Sequence, residues 1–510
     1  MDARISRPVL AWLLCGVLAL SGVLAAQPPM SRPQPVGDRQ ADSRLLAAMH
    51  GISSVTLLGY VRHLASPTYK GRLTGTPEYE AAAKWTADLF ASWGIKPAGD
   101  GGTYFQHFPN PYTLVLPGAS LSLDIRLPNG DTIKRPYLFE DDYFPGSTSD
   151  SVTVTAEVVY VGYGATAPEL GYDDYAGTDV RGKLVMMEPE VPVSPAGDPD
   201  LFKKWRPYSF HDYKVQNAAK HGAAGMIYNY HIANPNCVFV RGFGLTYVGR
   251  SVSDDVFAGT GKKHDDVVRA IRATLKPASF ATGKVMTMKN VTEHHPEGIG
   301  SNVVGYLGGM DPVLKQEAVV IGAHLDHVGM NPLLMPGAHD NASGVAVLLG
   351  AVKALATAGI PLKRTVLVIA FGAEEQGVKG SEFYVAHPVI PNAKTMAMLN
   401  LESVGRGESI AATSGTNFPQ LWTVIDRLNQ QYIHREVTAT ANANLARPRE
   451  DSAHFLWAGV PTISFHTVDA QPLPYATYHT TKDAPETLTP EIMSDLARLV
   501  FLSTVEFATR

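Results

Sequence analysis

The sequence predicts an α/β protein: a doubly wound, mostly parallel central sheet with helices on both faces, plus a small inserted α/β domain. Three observations predict this. From Asn302 onward, near-continuous apolar runs alternate with helical segments, and uninterrupted apolar strands mean that both sheet faces are covered. Between residues 112 and 290 the runs are shorter, alternate in polarity and are separated by turn residues, as in a separate β-rich unit. The strand ends of the later region carry acids and histidines, which is where open α/β sheets place their sites.

Composition narrows the class. The chain has 510 residues, 45% hydrophobic and 18% charged, a globular balance that excludes a mostly disordered or fibrous chain. A net charge of −5 argues against a broadly basic nucleic-acid surface. Two cysteines exclude a disulfide scaffold and any four-cysteine metal site.

Taken in order, residues 1–26 read as a signal peptide. Arg4 and Arg7 precede the apolar run LAWLLCGVLALSGVLAA, which closes on small residues. An uncleaved anchor is the alternative, because about 18 apolar residues just reach across a bilayer. Cleavage would remove Cys15 and leave Cys237 as the only thiol, so no intrachain disulfide could form. Residues 27–45, rich in Pro, Gln and charge, read as a linker. Helices are predicted over 53–65 and 77–93, the second presenting Ala81, Trp85, Leu89 and Phe90 on one face. Short strands follow at 113–116, 121–125, 152–160, 183–187 and 225–230, with a helix at 214–221. The later strands are 318–323, 365–371, 395–401 and 461–465, covered by helices near 342–358, 417–433 and 490–507.

The chemistry sits at the ends of those strands. The first runs into His324-Leu325-Asp326-His327. A Gly, Asn and Pro loop then leads to His339-Asp340-Asn341 at the start of a helix. The second strand ends before Glu374-Glu375, the third at Asn400-Leu401-Glu402, and Tyr478-His479 follows a Pro-rich loop. A lone Glu-Glu pair is ordinarily a solvated face, and Asp340-Asn341 alone could be a helix cap. Five such elements in order, converging in space, make a histidine and carboxylate ligand set that suits Zn²⁺, with Mn²⁺ or Co²⁺ as substitutes. Two ions sharing a carboxylate would hold a hydroxide and polarise a carbonyl, leaving one carboxylate as general base.

This ordered set resembles the family of co-catalytic zinc exopeptidases that includes secreted aminopeptidases and glutamate carboxypeptidase. Lys70-Gly71-Arg72-Leu73-Thr74-Gly75-Thr76 looks like the opening of its peptidase domain. VGYG…DDYAGTDVRGK and NAAKHGAAGMI look like an inserted protease-associated domain, and Asn302–Leu307 like the re-entry. The resemblance implies the zinc exopeptidase fold with a peptidase domain over 46–130 and 291–510 and an inserted domain over 131–290. It implies two Zn²⁺ ions. His324 and Glu402 would bind the first, Glu375 and His479 the second, and Asp340 would bridge them through a cis bond to Asn341. Asp326 would orient His324, Glu374 would be the general base and Tyr478 the oxyanion stabiliser. The implied activity is release of N-terminal amino acids from peptides by a secreted or periplasmic enzyme. Its partners would be peptides, with no nucleic acid and no stable membrane association once the signal is cleaved.

Two positions depart from the family pattern. Glu402 stands where Asp is usual, so its carboxylate is displaced by about a bond length. His339 stands where a small polar residue is common and reads as a loop residue near the metals. His294-His295 reads as a solvated loop, and His454 as a wall residue at the start of a helix. Two alternatives remain on the same scaffold. A carboxypeptidase would need a positive pocket, with Arg241, Arg250, Arg406 and Arg449 as candidates. A catalytically silent binding protein would be expected to have lost Glu374 or a histidine ligand, and both are present.

Overall fold

Hydrophobic pattern decides the central layer. The segments Ala318–His324 and Thr365–Phe371 are buried along their whole length, because helices cover both faces of their sheet. The computed structural model describes residues 36–127, 129–236, 238–441, 449–468 and 477–510, with side chains from residue 43 onward. The signal peptide, Cys15 and Cys237 lie outside the described residues. Among the described residues no helix is long and apolar enough to cross a membrane.

The larger sheet has nine strands. At its centre Thr365–Phe371, Ala318–His324, Thr395–Leu401 and Thr462–Val468 lie side by side, all parallel. Antiparallel strands flank them, Ile299–Leu307 on one side and Ser409–Thr413 on the other. Parallel register puts His324 opposite Phe371 and Gly322 opposite Asn400. The residues that follow these strand ends therefore emerge at one edge. One sheet face packs on the helices Ser54–Leu64, Ser343–Thr357 and Pro490–Thr509. The other meets Tyr384 of Lys379–Ala386 and Phe455 of Ser452–Trp457.

The second sheet has eight strands, drawn from residues 120 to 289. Its parallel core, Thr153–Tyr160, Leu184–Met187, Gly225–Tyr228 and Gly244–Val248, has its own apolar clusters.

Local expectations hold in bounds more than in facing. Thr365–Phe371 and Thr395–Leu401 have the predicted limits. The helix Pro77–Ser92 buries Tyr79, Ala82, Ala83, Thr86, Ala87 and Phe90, whereas Ala81 is exposed and Trp85 and Leu89 are half-buried. The buried face is the one that packs on the sheet, where Tyr79 also donates its hydroxyl to the Ser301 carbonyl at 2.5 Å. Residues 36–50 form a helix that begins inside the stretch read as linker. The run Leu45-Leu46-Ala47-Ala48-Met49 consists of strong helix formers, which outweigh the polar composition before it. The segment 417–433 is an α-helix, Pro419–Leu428, that passes into a π turn, Asn429–Ile433.

Candidate metal centre

His324, Asp326, Glu374, Glu375 and Glu402 end or follow strands at one sheet edge, whereas Asp340 lies just before a helix and Tyr478 and His479 lie in a turn. His324 ends its strand and is buried. Its Nε2 lies 3.2 Å from Glu402 Oε1 and 3.2 Å from Asp340 Oδ1. Its Nδ1 faces Asp326, 3.2 Å from the backbone carbonyl and 3.6 Å from Oδ1. Asp326 also accepts the backbone N–H groups of Glu374 and Glu375, one on each oxygen, both at 3.2 Å. Asp326 thus positions the histidine through its backbone carbonyl and the Glu pair through its carboxylate.

On the far side of Asp340, His479 Nε2 lies 3.1 Å from Asp340 Oδ2 and 3.0 Å from Glu375 Oε2. Asp340 therefore faces two groups, one of His324, Asp340 and Glu402 and one of His327, Asp340, Glu375 and His479, each close enough to hold an ion. The Asp340–Asn341 bond is cis, as the resemblance implies. The Asn341 amide donates to Leu401 O at 2.8 Å and accepts from the N–H of Ser403 at 3.1 Å, which ties this loop to the one carrying Glu402.

Three residues with no assigned role in the sequence reading hold this centre. His327 Nδ1 lies 2.7 Å from Glu375 Oε1; its place directly after Asp326 was the available signal. Gly337, at φ 60°, makes room for it, since a Cβ there would lie 2.4 Å from His327 Cγ. Arg72 is buried and donates to four carbonyls, those of Leu64, Leu325, Pro336 and Gly337. Asp483 accepts the backbone N–H groups of His339 and Asp340 at 2.9 and 3.1 Å, and burial pushes its carboxyl up to about 6.

His339 itself corrects the expectation. It is buried, and its Nδ1 accepts the Gly405 N–H at 3.1 Å. It is a packed strut between two loops, and not a mere loop residue. His294 pairs with Thr113 and stacks on Phe239, and His295 stacks on Tyr112. Neither joins a metal-capable group among the described residues.

The electrostatics fit cations. Burial pushes the Asp340 carboxyl up, but His324 and His479 more than offset that and hold it well below the usual range. Burial also acts on Glu375, where His479 and His327 bring the carboxyl down to about 2. Burial and then the neighbouring carboxylates Glu402, Glu375 and Asp451 push Glu374 well up, against the pull of His324. Glu402 Oε2 is buried without a hydrogen-bond donor. A buried cluster of Asp326, Asp340, Glu374, Glu375 and Glu402 carries more negative charge than Arg72 neutralises, so it requires bound cations or protons. Oxygen and imidazole donors without thiolate suit zinc.

Fold and donor set resemble those of a zinc exopeptidase domain joined to a protease-associated unit. Residues 302–504 match the family Peptidase family M28, and residues 154–253 match the PA domain. Over 207 residues it is 28% identical to a probable leucine aminopeptidase of Trichophyton verrucosum (strain HKI 0517), covering 39% of this chain and 57% of that protein. The chain thus spans little more than half the length of that curated relative. An aminopeptidase from Aneurinibacillus sp. strain AM-1 matches the structure with a TM-score of 0.63 at 21% identity, covering 92% of this chain and 96% of that one. A zinc aminopeptidase from Bacillus subtilis matches at 0.60 and 17% identity, covering 90% and 96%. These two likenesses establish the fold.

Proposed function

We propose that this protein is an exported zinc aminopeptidase that removes N-terminal residues from peptides. The observation that carries the reading is Asp340, whose two oxygens face two separate histidine and carboxylate groups, with Glu374 interacting electrostatically with His324, Glu402 and Glu375. The M28 match and the aminopeptidase names of the relatives support the same reading. Export rests on the leader read in residues 1–26.

His324, Asp340 and Glu402 would hold one zinc ion, and Asp340, Glu375 and His479 the other. When bound, such ions supply Lewis acidity and lower the pKa of water, so that a nucleophile is present at neutral pH. The chain's own groups do the rest. Glu374 takes the proton of the attacking water and passes it to the departing amine, which leaves as a neutral group while the acyl carbon gains oxygen. Asp326 holds the Glu374 backbone so that its carboxylate stays aimed. The Tyr478 ring stacks on His479 with centroids 3.9 Å apart. Burial, then Asp340 and Glu375, keep its hydroxyl protonated, so it donates to the oxyanion that develops on the carbonyl.

The test pairs metal analysis with two peptide sets. Two zinc ions per chain are expected, with hydrolysis of C-blocked peptides bearing a free N-terminus and none of N-acetylated peptides. The reverse selectivity would establish a carboxypeptidase, for which Arg406, whose guanidinium donates to the hydroxyl of Thr477 beside Tyr478 at 2.6 Å, is the candidate cation. Full metal loading without hydrolysis of either set would establish a binding protein.

A further inference from the structure

Gln376 directly follows the Glu374–Glu375 pair and is fully buried. Its Oε1 accepts from Asn110 at 3.1 Å, but its Nε2 has no hydrogen-bond partner among the described residues. The same is true of His211 Nδ1 and His454 Nε2. A buried polar atom without a partner is costly and uncommon. All three of these residues line one cleft of about 520 Å³, a volume in the roughly 300–1,000 Å³ range of ligand sites. Phe210, His211 and Asn236 of the inserted unit form one wall, and Gln376, His454 and Trp457 the other.

The donor chemistry selects a ligand. An amide nitrogen such as Gln376 Nε2 can only donate, so it calls for a carbonyl oxygen. Burial lowers the pKa of both histidines, and a neutral imidazole nitrogen can either donate or accept. A peptide backbone offers both partners in alternation. The charged groups on the rim are Asp212, Lys379 and Glu382, and Lys379 pairs with Glu382 at 2.9 Å. Opposite signs close together do not select one ionic ligand. Phe210 and the half-exposed Trp457 add apolar surface for side chains.

We propose that this cleft binds the substrate chain beyond the scissile bond, so that the preferred substrates are peptides of three or more residues and not dipeptides or aminoacyl amides. The inference rests on the aminopeptidase reading and names the substrate class of that site. The inserted unit then acts as half of the substrate cleft, and binding energy from remote residues contributes to turnover.

The experiment compares leucine p-nitroanilide with leucine-initiated tri- and pentapeptide amides. In the wild type, kcat/KM is expected to rise about ten-fold or more from the anilide to the pentapeptide amide. His454→Ala is expected to remove most of that rise while the anilide value stays within about two-fold, and His454→Asn, which keeps a hydrogen-bonding group, should restore part of it. A flat length dependence in the wild type, or an equal loss on all substrates in His454→Ala, would overturn the proposal. Absence of all hydrolysis would sink the aminopeptidase reading instead. Calorimetric titration with the pentapeptide amide then decides the cleft: binding weakened about ten-fold by His454→Ala supports it, and equal binding overturns it.

Discussion

The Nδ1 atom of His479 lies 2.6 Å from the backbone carbonyl oxygen of Ala233. Ala233 belongs to the second sheet's unit and His479 to the metal centre, 246 positions apart. A carbonyl can only accept, so the imidazole carries a proton on Nδ1, which leaves Nε2 as the atom that faces Asp340 and Glu375 and could bind an ion. The inserted unit thereby sets the tautomer of a metal-facing histidine, and this relationship leads to the first prediction. Ala233 is fully buried, so Ala233→Leu has to displace its carbonyl. Zinc affinity is expected to fall about ten-fold or more, read as metal retained after dialysis against a chelator.

His327 donates to the Glu375 oxygen that faces away from His479. Removing that donor frees the carboxylate to rotate. His327→Ala should weaken one of the two proposed zinc sites by about 10- to 100-fold and leave the other unchanged. His327→Asn, whose amide offers a donor, should recover part of the loss. Competitive metal titration distinguishes the two sites, and equal affinity in the wild type and the alanine variant would remove His327 from this role.

Glu374 separates binding from chemistry. Glu374→Gln keeps the shape of the site and removes the proposed base. Metal content should be unchanged while kcat falls about 10²- to 10⁴-fold. A wild-type rate in this variant would exclude Glu374 as the proton carrier.

Arg72 stitches the loops that carry the ligands. Its guanidinium, buried and lowered to about 10 by burial against the pull of Asp326 and Asp483, satisfies carbonyls on both sides of the His324 and Asp340 segments. Arg72→Met leaves those acceptors unpaired and should cost about 3–5 kcal/mol of stability, measured by urea unfolding of the metal-free protein.

His211 gives stability a pH dependence. Burial, then Lys214, Arg206 and Arg449, lower its pKa to about 4, against about 6.5 in an unfolded chain. Between those values the unfolded state binds the extra proton. The contribution is fully present above about pH 6.5 and is lost as pH falls through about 4, amounting to about 3 kcal/mol. Unfolding free energies across that window should show this slope in the wild type, and His211→Gln should flatten it.

The amino-acid sequence by itself determined the layer structure and the order of the candidate metal-binding residues. Apolar runs of strand length set the bounds 365–371 and 395–401, because strand formation reads local pattern. The order of His324, Glu374, Glu375 and Glu402 at or after strand ends was legible for the same reason, since parallel strands bring successive ends to one edge. Only the tertiary structure decided which groups steady those residues. Asp483 reaches the His339 and Asp340 amides across 144 and 143 positions, Arg72 reaches Gly337 across 265, and on the buried face of the helix Pro77–Ser92 Tyr79 meets Ser301 across 222. Hydrophobic period and ligand type are local properties of a chain. Which carbonyl meets which imidazole depends on the packing of distant segments, and no spacing in the sequence encodes it.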